Sequence, residues 1–298
     1  MEATATFLAQ HAVATLFGVA AAMLLLALGL WHLIQRYGGA LWSAASRMWA
    51  ALRSSAFAAH ARKIPGLQRT FTHSLTIARY LGVHAVVSFL VAFACLTAFF
   101  ELADEIDLDQ SLSRFDTLLS AALGAHAPEL LLRVMAVITV LGNQSFIVPL
   151  GVGVAMVLVL VRHRLLAVAW SVATGAGALL NLLLKSLFER TRPPHEHALI
   201  DVHGWSFPSG HASGSMLVYG LLAYILIRHT PRAWHLPTAA VAVTLIVFIG
   251  FSRVLLQVHY LSDVLAGYAS AAAWGALCIA GYESVRHARR HSEGTREL

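Results

Sequence analysis

Residues 206–227 read SFPSGHASGSMLVYGLLAYILI, with no Lys, Arg, Asp or Glu. From Gly210 onward the run is long and apolar enough for one membrane crossing, which needs about 20 residues. Its opening is unusual for such a helix. Pro208 and Ser209 are helix-start signals, and a helix N-terminus offers unpaired amides and a dipole that favours an anion. Gly210 would let a ligand approach the backbone closely. Taken alone, the stretch reads equally well as a Ser-capped helix with a chance histidine at 211.

The surroundings make the membrane reading general. Of 298 residues, 58% are hydrophobic and only 12% charged, with mean hydropathy +0.69. Soluble domains carry a charged fraction of about 25%. Further uncharged stretches occur at 12–34, 80–100, 134–161, 165–184, 236–252 and 264–282, so that seven crossings are expected. The first lacks a basic leader and follows Glu2, which argues for a retained helix and against a secretory signal. The stretch at 134–161 is too long for one straight span and contains LGNQSFIVP, with Gly142 and Pro149; its first half is expected to be interfacial or steeply tilted. The fold class is therefore all-α: an integral membrane bundle with an added N-terminal transmembrane helix and amphipathic helices.

A net charge of +6 and a pI near 9.7 would suit nucleic acid if the cations formed one patch. Instead, residues 35–79 carry Arg36, Arg47, Arg53, Arg62, Lys63, Arg69 and Arg79 without an acid, whereas 101–127 carry six acids and only Arg114. This is the positive-inside pattern and excludes a nucleic-acid partner. With 35–79 in the cytoplasm, the N-terminus lies outside, and the basic links at 162–164 and 228–232 and the tail fall inside. The one basic loop that must face outside is 185–205, so its cations need another explanation.

The expected organisation is a transmembrane helix and basic cytoplasmic segment over 1–79, a membrane core over 80–285 and a basic tail over 286–298. Residues 41–60 suit an amphipathic helix on the cytoplasmic leaflet or one packed on its own bundle. Residues 112–123 place Leu112, Phe115, Leu118, Leu119 and Leu123 at helical spacing. Small residues at 173–180 and 267–276 suit close helix packing in lipid. Cys95 and Cys278 lie inside apolar spans and suggest neither a disulfide framework nor a zinc site.

Three clusters at helix ends fall on the outer face. Lys185 and Arg192 in KSLFERTRP are nearly two turns apart and share a face as long as the helix persists, which should be up to the residue before Pro193. Snorkelling cations would look the same. The second cluster is Ser209, Gly210 and His211. The third, SRVLLQVHYLSD, contains Arg253, His259 and Asp263; a carboxylate four residues from a histidine can accept one ring N–H and leave the other nitrogen as nucleophile or base. Together, three cations, a helix N-terminus and two histidines on one face describe a site for a tetrahedral oxyanion. Ionisable groups at such depths default to function.

K-x6-R-P, then P-S-G-H, then S-R-x5-H-x3-D, in this order, resembles the three-part signature of the type 2 phosphatidic acid phosphatase superfamily of membrane lipid phosphatases. The resemblance covers about residues 80–282 and leaves the first span outside the family's six-helix core. It implies His259 as phosphoryl-accepting nucleophile, Asp263 as its orienting partner and His211 as general acid. It also implies a phosphate clamp of Lys185, Arg192, Arg253, Ser209 and Gly210, with no metal and no cofactor. Phosphoryl transfer needs in-line placement and stabilisation of charge on three equatorial oxygens, which three cations and helix amides supply. Attack requires neutral His259 and departure a protonated His211, so the pH–activity profile should be bell-shaped.

His195, Glu196, His197, Asp201 and His203 invite a metal reading, but a lid or headgroup-contacting loop fits better because the clamp already supplies cations. Arg190 is an extra charge that the signature does not require. The expected partners are the bilayer and a lipid phosphate, with the site on the extracytoplasmic side of a bacterial inner membrane. A polyprenyl diphosphate such as the undecaprenyl carrier comes first among substrates, ahead of phosphatidylglycerol phosphate and phosphatidic acid. A phosphotransferase would share the first half-reaction, and a transporter or scaffold with an anion site would share the charged helix ends. Haloperoxidases of related signature are soluble, which seven spans oppose. A core without residues 1–75 is expected to remain competent.

Overall fold

The structure, a computed structural model, describes residues 1–26, 83–106, 110–194 and 203–294, with a few positions between 28 and 37. The amphipathic segment expected at 41–60, the loop positions His195, Glu196, His197 and Asp201, and Arg296 lie outside the described residues. Ten α-helices are described: α1 (Glu2–Gln10), α2 (Ala12–Leu26), α3 (Val83–Asp104), α4 (Ser111–His126), α5 (Glu129–Ile138), α6 (Gln144–Leu160), α7 (Arg164–Phe188), α8 (Gly210–His229), α9 (His235–Leu255) and α10 (Leu261–Gly294).

Six stretches are long and apolar enough to cross a membrane: Val87–Asp104, Glu129–Leu160, Arg164–Phe188, Gly210–His229, Arg232–Leu255 and Leu261–Arg286. Helices α1 and α2 bend by 92° at their junction and count as a seventh only if read as one span. Large apolar side chains point outward, Phe93 being 72% and Leu160 73% exposed, as a lipid solvent permits. The chain is a multi-pass, all-helical membrane protein.

The chain divides into two compact units, Met1–Leu25 with Val91–Cys278, and Leu26–Leu90 with Ile279–Leu298. In the second, Arg286 pairs with Glu283 one helical turn away. The first contains everything relevant to the site. There, polar tips of aromatic residues donate to backbone carbonyls of neighbouring helices: Trp170 to Gly151 at 2.8 Å, Trp274 to Ala173 at 2.9 Å and Tyr268 to Ile246 at 2.5 Å. Such bonds cross-link helices where lipid supplies no hydrophobic drive for association. Gly267 permits the closest approach that matters here. A Cβ at that position would lie 2.7 Å from the Ser209 carbonyl oxygen and 3.0 Å from Ala212 Cβ, so only glycine lets α10 lie against the start of α8.

The helix expected over 112–123 is α4. Its buried residues Ser113, Asp116, Leu119, Ser120 and Leu123 recur at three- and four-residue intervals, as one helical face must. Helix α1 packs on it, and Ala5, Ala9, Ala12 and Leu16 share a core with Leu119, Leu123 and Val258.

The long span Glu129–Leu160 has 32 residues, about 48 Å of continuous α-helix against a hydrocarbon core of about 30 Å. It is interrupted midway by a 3₁₀ turn, Thr139–Gly142, and by extended Asn143. Tyr219 of α8 donates to the Leu141 carbonyl in this break at 2.8 Å.

Candidate active site

Four helix ends converge: the C-termini of α7 and α9 and the N-termini of α8 and α10. Helix α7 stops at Phe188, capped by Glu189 in the left-handed region with φ 46°. It thus ends earlier than the position before Pro193, and Arg192 does not continue the helical face of Lys185. The two cations meet instead at the loop before α8. Lys185 Nζ donates to the carbonyls of Trp205, at 2.5 Å, and Ser206, at 3.3 Å.

Arg192 uses all five of its N–H groups. Nε donates to the Gly204 carbonyl at 2.9 Å, one terminal nitrogen to the Val258 carbonyl at 2.7 Å and to His259 Nε2 at 3.2 Å, and the other to the carbonyls of His203 and Trp205 at 3.2 and 3.3 Å. A guanidinium has no further donor.

His259 lies in the turn between α9 and α10, not within a helix. Gln257 adopts φ 52°, and the amides of Val258 and His259 fold back onto the Arg253 carbonyl at 3.1 and 3.2 Å. The result still brings His259 Nδ1 to 3.3 Å from Asp263 Oδ2. The same oxygen accepts the Tyr260 amide at 2.9 Å and the Ser206 hydroxyl. With Nδ1 committed to the carboxylate, Nε2 faces the Arg192 guanidinium.

The start of α8 forms the opposite wall. The Ser209 amide donates to the Asp263 carbonyl at 2.9 Å, which ties α8 to α10. A Cβ on Gly210 would sit 3.3 Å from Asn181 Oδ1 and 3.9 Å from Lys185 Cε, so the glycine backbone lies beside the lysine. Arg253, 1% exposed, donates to Thr139 Oγ1 at 2.8 Å. His211 Nε2 stands 2.7 Å from Asn143 Oδ1, and because that oxygen can only accept, the ring carries its proton on Nε2 and turns Nδ1 away from the amide. The interrupted span thus supplies a contact to both Arg253 and His211.

Two buried groups of this cluster, Ser209 Oγ and Arg253 Nε, have no hydrogen-bond partner among the described residues. Buried polar atoms are normally satisfied, so orphaned donors call for an explanation, and a bound anion is one. His211 lies in the field of Arg253, His259, Arg192 and Lys185. Burial, aided by Arg253 and Arg192, holds the His259 imidazole well below its ordinary range against the opposing pull of Asp263. The ring is therefore neutral near pH 7.

All eight residues singled out by the sequence occur in these walls. Reading the sequence did not identify Asp116, Ser206, Ser262, Thr139 and Asn143, and it left Arg190 without a role. Arg190 contacts Asp263 at Oδ1, the oxygen that His259 does not use, at 2.7 Å. Asn143 had a legible signal, a polar residue after glycine in an overlong apolar run. Asp116 had one only in its place on the apolar stripe of α4. Among the described residues no three His, Cys, Asp or Glu side chains are grouped as a metal site requires.

Comparison with known proteins gives consistent matches. The family model of the PAP2 superfamily matches residues 164–286. Phosphatidylglycerophosphatase B of Bacillus subtilis (strain 168) is 36% identical over 137 residues, 45% of this chain and 67% of that protein. Decaprenylphosphoryl-5-phosphoribose phosphatase of Mycobacterium tuberculosis is 37% identical over 115 residues, covering 36% of this chain and 58% of its own length. The crystal structure of a transmembrane PAP2 type phosphatidylglycerolphosphate phosphatase from Bacillus subtilis superposes with a TM-score of 0.58 at 31% identity, over 63% of this chain and 93% of that one.

Proposed function

The chain belongs to the PAP2 superfamily, and from that premise we propose that it is a lipid phosphatase which hydrolyses a phosphate headgroup through a phosphohistidine on His259. The observation that carries this reading is the pair of buried, unpartnered donors Ser209 Oγ and Arg253 Nε, within the same cluster as a neutral histidine whose Nε2 faces Arg192. Donors that are already desolvated and fixed stabilise charge on a transferring phosphoryl group without reorganisation.

In the first half-reaction Nε2 of His259 attacks phosphorus. Nδ1–H remains on Asp263, so the cation that develops on the ring is met by a buried carboxylate. The bond from phosphorus to the leaving oxygen breaks, and that oxygen takes a proton from His211. Asn143 holds His211 in one tautomer, with Nδ1 as the nitrogen that exchanges the proton. In the second half-reaction water attacks phosphorus, His211 accepts its proton, and the N–P bond breaks. Lys185, Arg192, Arg253, Ser209 Oγ and the Gly210 amide hold the phosphoryl oxygens in both steps, without a metal ion.

The substrate is an amphiphile whose phosphate reaches these helix ends while its chains stay in the bilayer. Likeness to a phosphatidylglycerophosphatase over two thirds of that enzyme moves phosphatidylglycerol phosphate ahead of the polyprenyl diphosphate first favoured. The site then opens on the extracytoplasmic face of a bacterial inner membrane, in keeping with the charge asymmetry of the loops. Purified protein should release phosphate from at least one of phosphatidylglycerol phosphate, phosphatidic acid and undecaprenyl diphosphate, with EDTA present. His259→Ala should abolish release, and His211→Ala should slow it by about 10²- to 10⁴-fold. A fully active His259→Ala protein, or a wild type inert toward all three lipids, would sink the proposal; loss of activity in EDTA would return a metal to the mechanism.

A further inference from the structure

Behind the histidine and aspartate lies a second set of charges that the reaction as described does not use. Arg190 is only 8% exposed at its side chain, and Asp116 and Asp263 are 0% exposed. One terminal nitrogen of Arg190 donates to Asp263 Oδ1 at 2.7 Å and to Ser262 Oγ at 2.6 Å. The other donates to Asp116 Oδ2 at 3.1 Å, and the guanidinium plane lies over the Tyr260 ring at 4.4 Å. Asp116 Oδ1 accepts the Ser262 amide at 3.2 Å, and Oδ2 also accepts the Ser262 hydroxyl.

Three charges this deep are costly unless each is paired and hydrogen-bonded, and here each is. The sequence of charge is negative on Asp116, positive on Arg190, negative on Asp263, and then the imidazole that becomes cationic on accepting phosphorus. Arg190 alone would neutralise Asp263 and weaken its attraction for that imidazolium. Asp116 draws half of the guanidinium fork away and restores the balance. Through the Ser262 amide it also anchors the first turn of α10, the turn that bears Asp263, at a helix end where a carboxylate is favourable.

We propose that Asp116 and Arg190 are positioning residues for the phosphoryl-transfer step, forming a buried chain of alternating charge that runs from α4 to the nucleophile and keeps Asp263 ionised and aimed at His259 Nδ1. The inference rests on His259 being the nucleophile. It assigns a role in the reaction to α4, a helix outside the matched residues 164–286.

The test uses the full-length protein in detergent with the lipid phosphate that wild type hydrolyses best, and compares Asp116→Asn, Arg190→Lys, Arg190→Ala and His259→Ala. Asp116→Asn is isosteric and carries the test even if Arg190→Ala fails to fold. Asp116→Asn and Arg190→Lys should lower kcat by about 10- to 100-fold, the usual effect of losing a partner that orients a reacting group. KM should stay within about two-fold, because neither side chain touches the phosphate. Rapid-quench measurement should place the loss in phosphoenzyme formation, and the acid limb of the kcat profile should move to lower pH in Asp116→Asn, where Arg190 is left to neutralise Asp263, and to higher pH in Arg190→Ala, where that cation is gone. Guanidinium ion should restore part of the rate of Arg190→Ala. As a control, Glu129→Gln breaks an ion pair with Arg133 whose side chains are 76% and 69% exposed and should leave kcat unchanged. Wild-type kcat in Asp116→Asn while His259→Ala is dead would overturn this inference alone. An active His259→Ala would instead remove the reading beneath it. A change confined to KM, or a rate loss with an unmoved acid limb, would mean that the chain only supports the fold.

Discussion

As the proposed nucleophile, His259 would perform two functions that make opposite demands on its environment: it must be unprotonated to attack and well solvated electrostatically once it carries a cation. Burial among Arg192 and Arg253 meets the first, and Asp263 meets the second without sharing its lone pair on Nε2. The depressed imidazole sets the sign of a pH effect. Its value in the folded chain lies below the ordinary 6.5, so the unfolded chain takes up a proton first as pH falls. The stability tied to a neutral buried ring is fully present above pH 6.5 and is lost progressively as pH drops toward the depressed value. Two measurements check this. The acid limb of kcat/KM should lie well below pH 6.5, and the melting temperature of wild type should fall more steeply than that of His259→Gln between pH 6.5 and 4.5. At this scale the sequence was most informative, because the spacing of Arg253, His259 and Asp263 brings them together whether or not the intervening segment is helical. It marked Arg190 only as an extra charge and gave no sign of Asp116, since nothing in sequence spacing relates residues 74 positions apart that meet only after packing.

Among the elements, the interrupted span over Glu129–Leu160 is the one whose irregularity has a use. An unbroken helix would turn Thr139 and Asn143 through regular 100° steps and satisfy its backbone internally. The 3₁₀ turn departs from that course and leaves Thr139 against Arg253 and Asn143 against His211. Its excess length and its glycine were visible in the sequence, but an interfacial or steeply tilted first half was the expected outcome; the break could be placed only once α8 and α9 were known to press on it. Gly142 marks the point of pressure. A Cβ there would lie 2.6 Å from Ile249 Cγ2 and 2.9 Å from His211 Cδ2. Gly142→Ala should therefore displace His211, lowering kcat together with a stability loss of about 1–3 kcal/mol from overpacking. Gly151→Ala, in the following helix with nothing within 4 Å, is the matched control and should behave as wild type in both assays.

At the scale of the molecule, the spans were legible because lipid imposes length and apolarity on any helix that crosses it, and five of the six agree with the uncharged stretches to within a few residues. The N-terminal part was harder to read, since an apolar run does not say where it bends. Helix α1 turns from α2 by 92° and covers α4, and Ala5 and Ala9 of α1 and Ala12 and Leu16 of α2 are each at most 2% exposed. Removing residues 1–25 should leave a protein that still releases phosphate but melts several degrees lower, because Leu119 and Leu123 lose their cover. Thermal denaturation followed by residual activity in one detergent checks both parts. A truncation as stable as the full chain would show that α1 contributes nothing to α4.

The saturation of Arg192 has a consequence for selectivity. Because each of its N–H groups already has an acceptor, a headgroup cannot simply add to it; binding is an exchange in which peptide carbonyls or the nucleophile's own lone pair give way. Only an acceptor stronger than an amide oxygen gains from such a trade, and a phosphomonoester dianion is one, since hydrogen bonds to ionised partners are roughly twice as strong as neutral ones. Zwitterionic and uncharged headgroups offer too little to displace the loop. In the proposed reaction the arginine would therefore act as a threshold as well as a clamp, admitting a phosphate and refusing weaker acceptors.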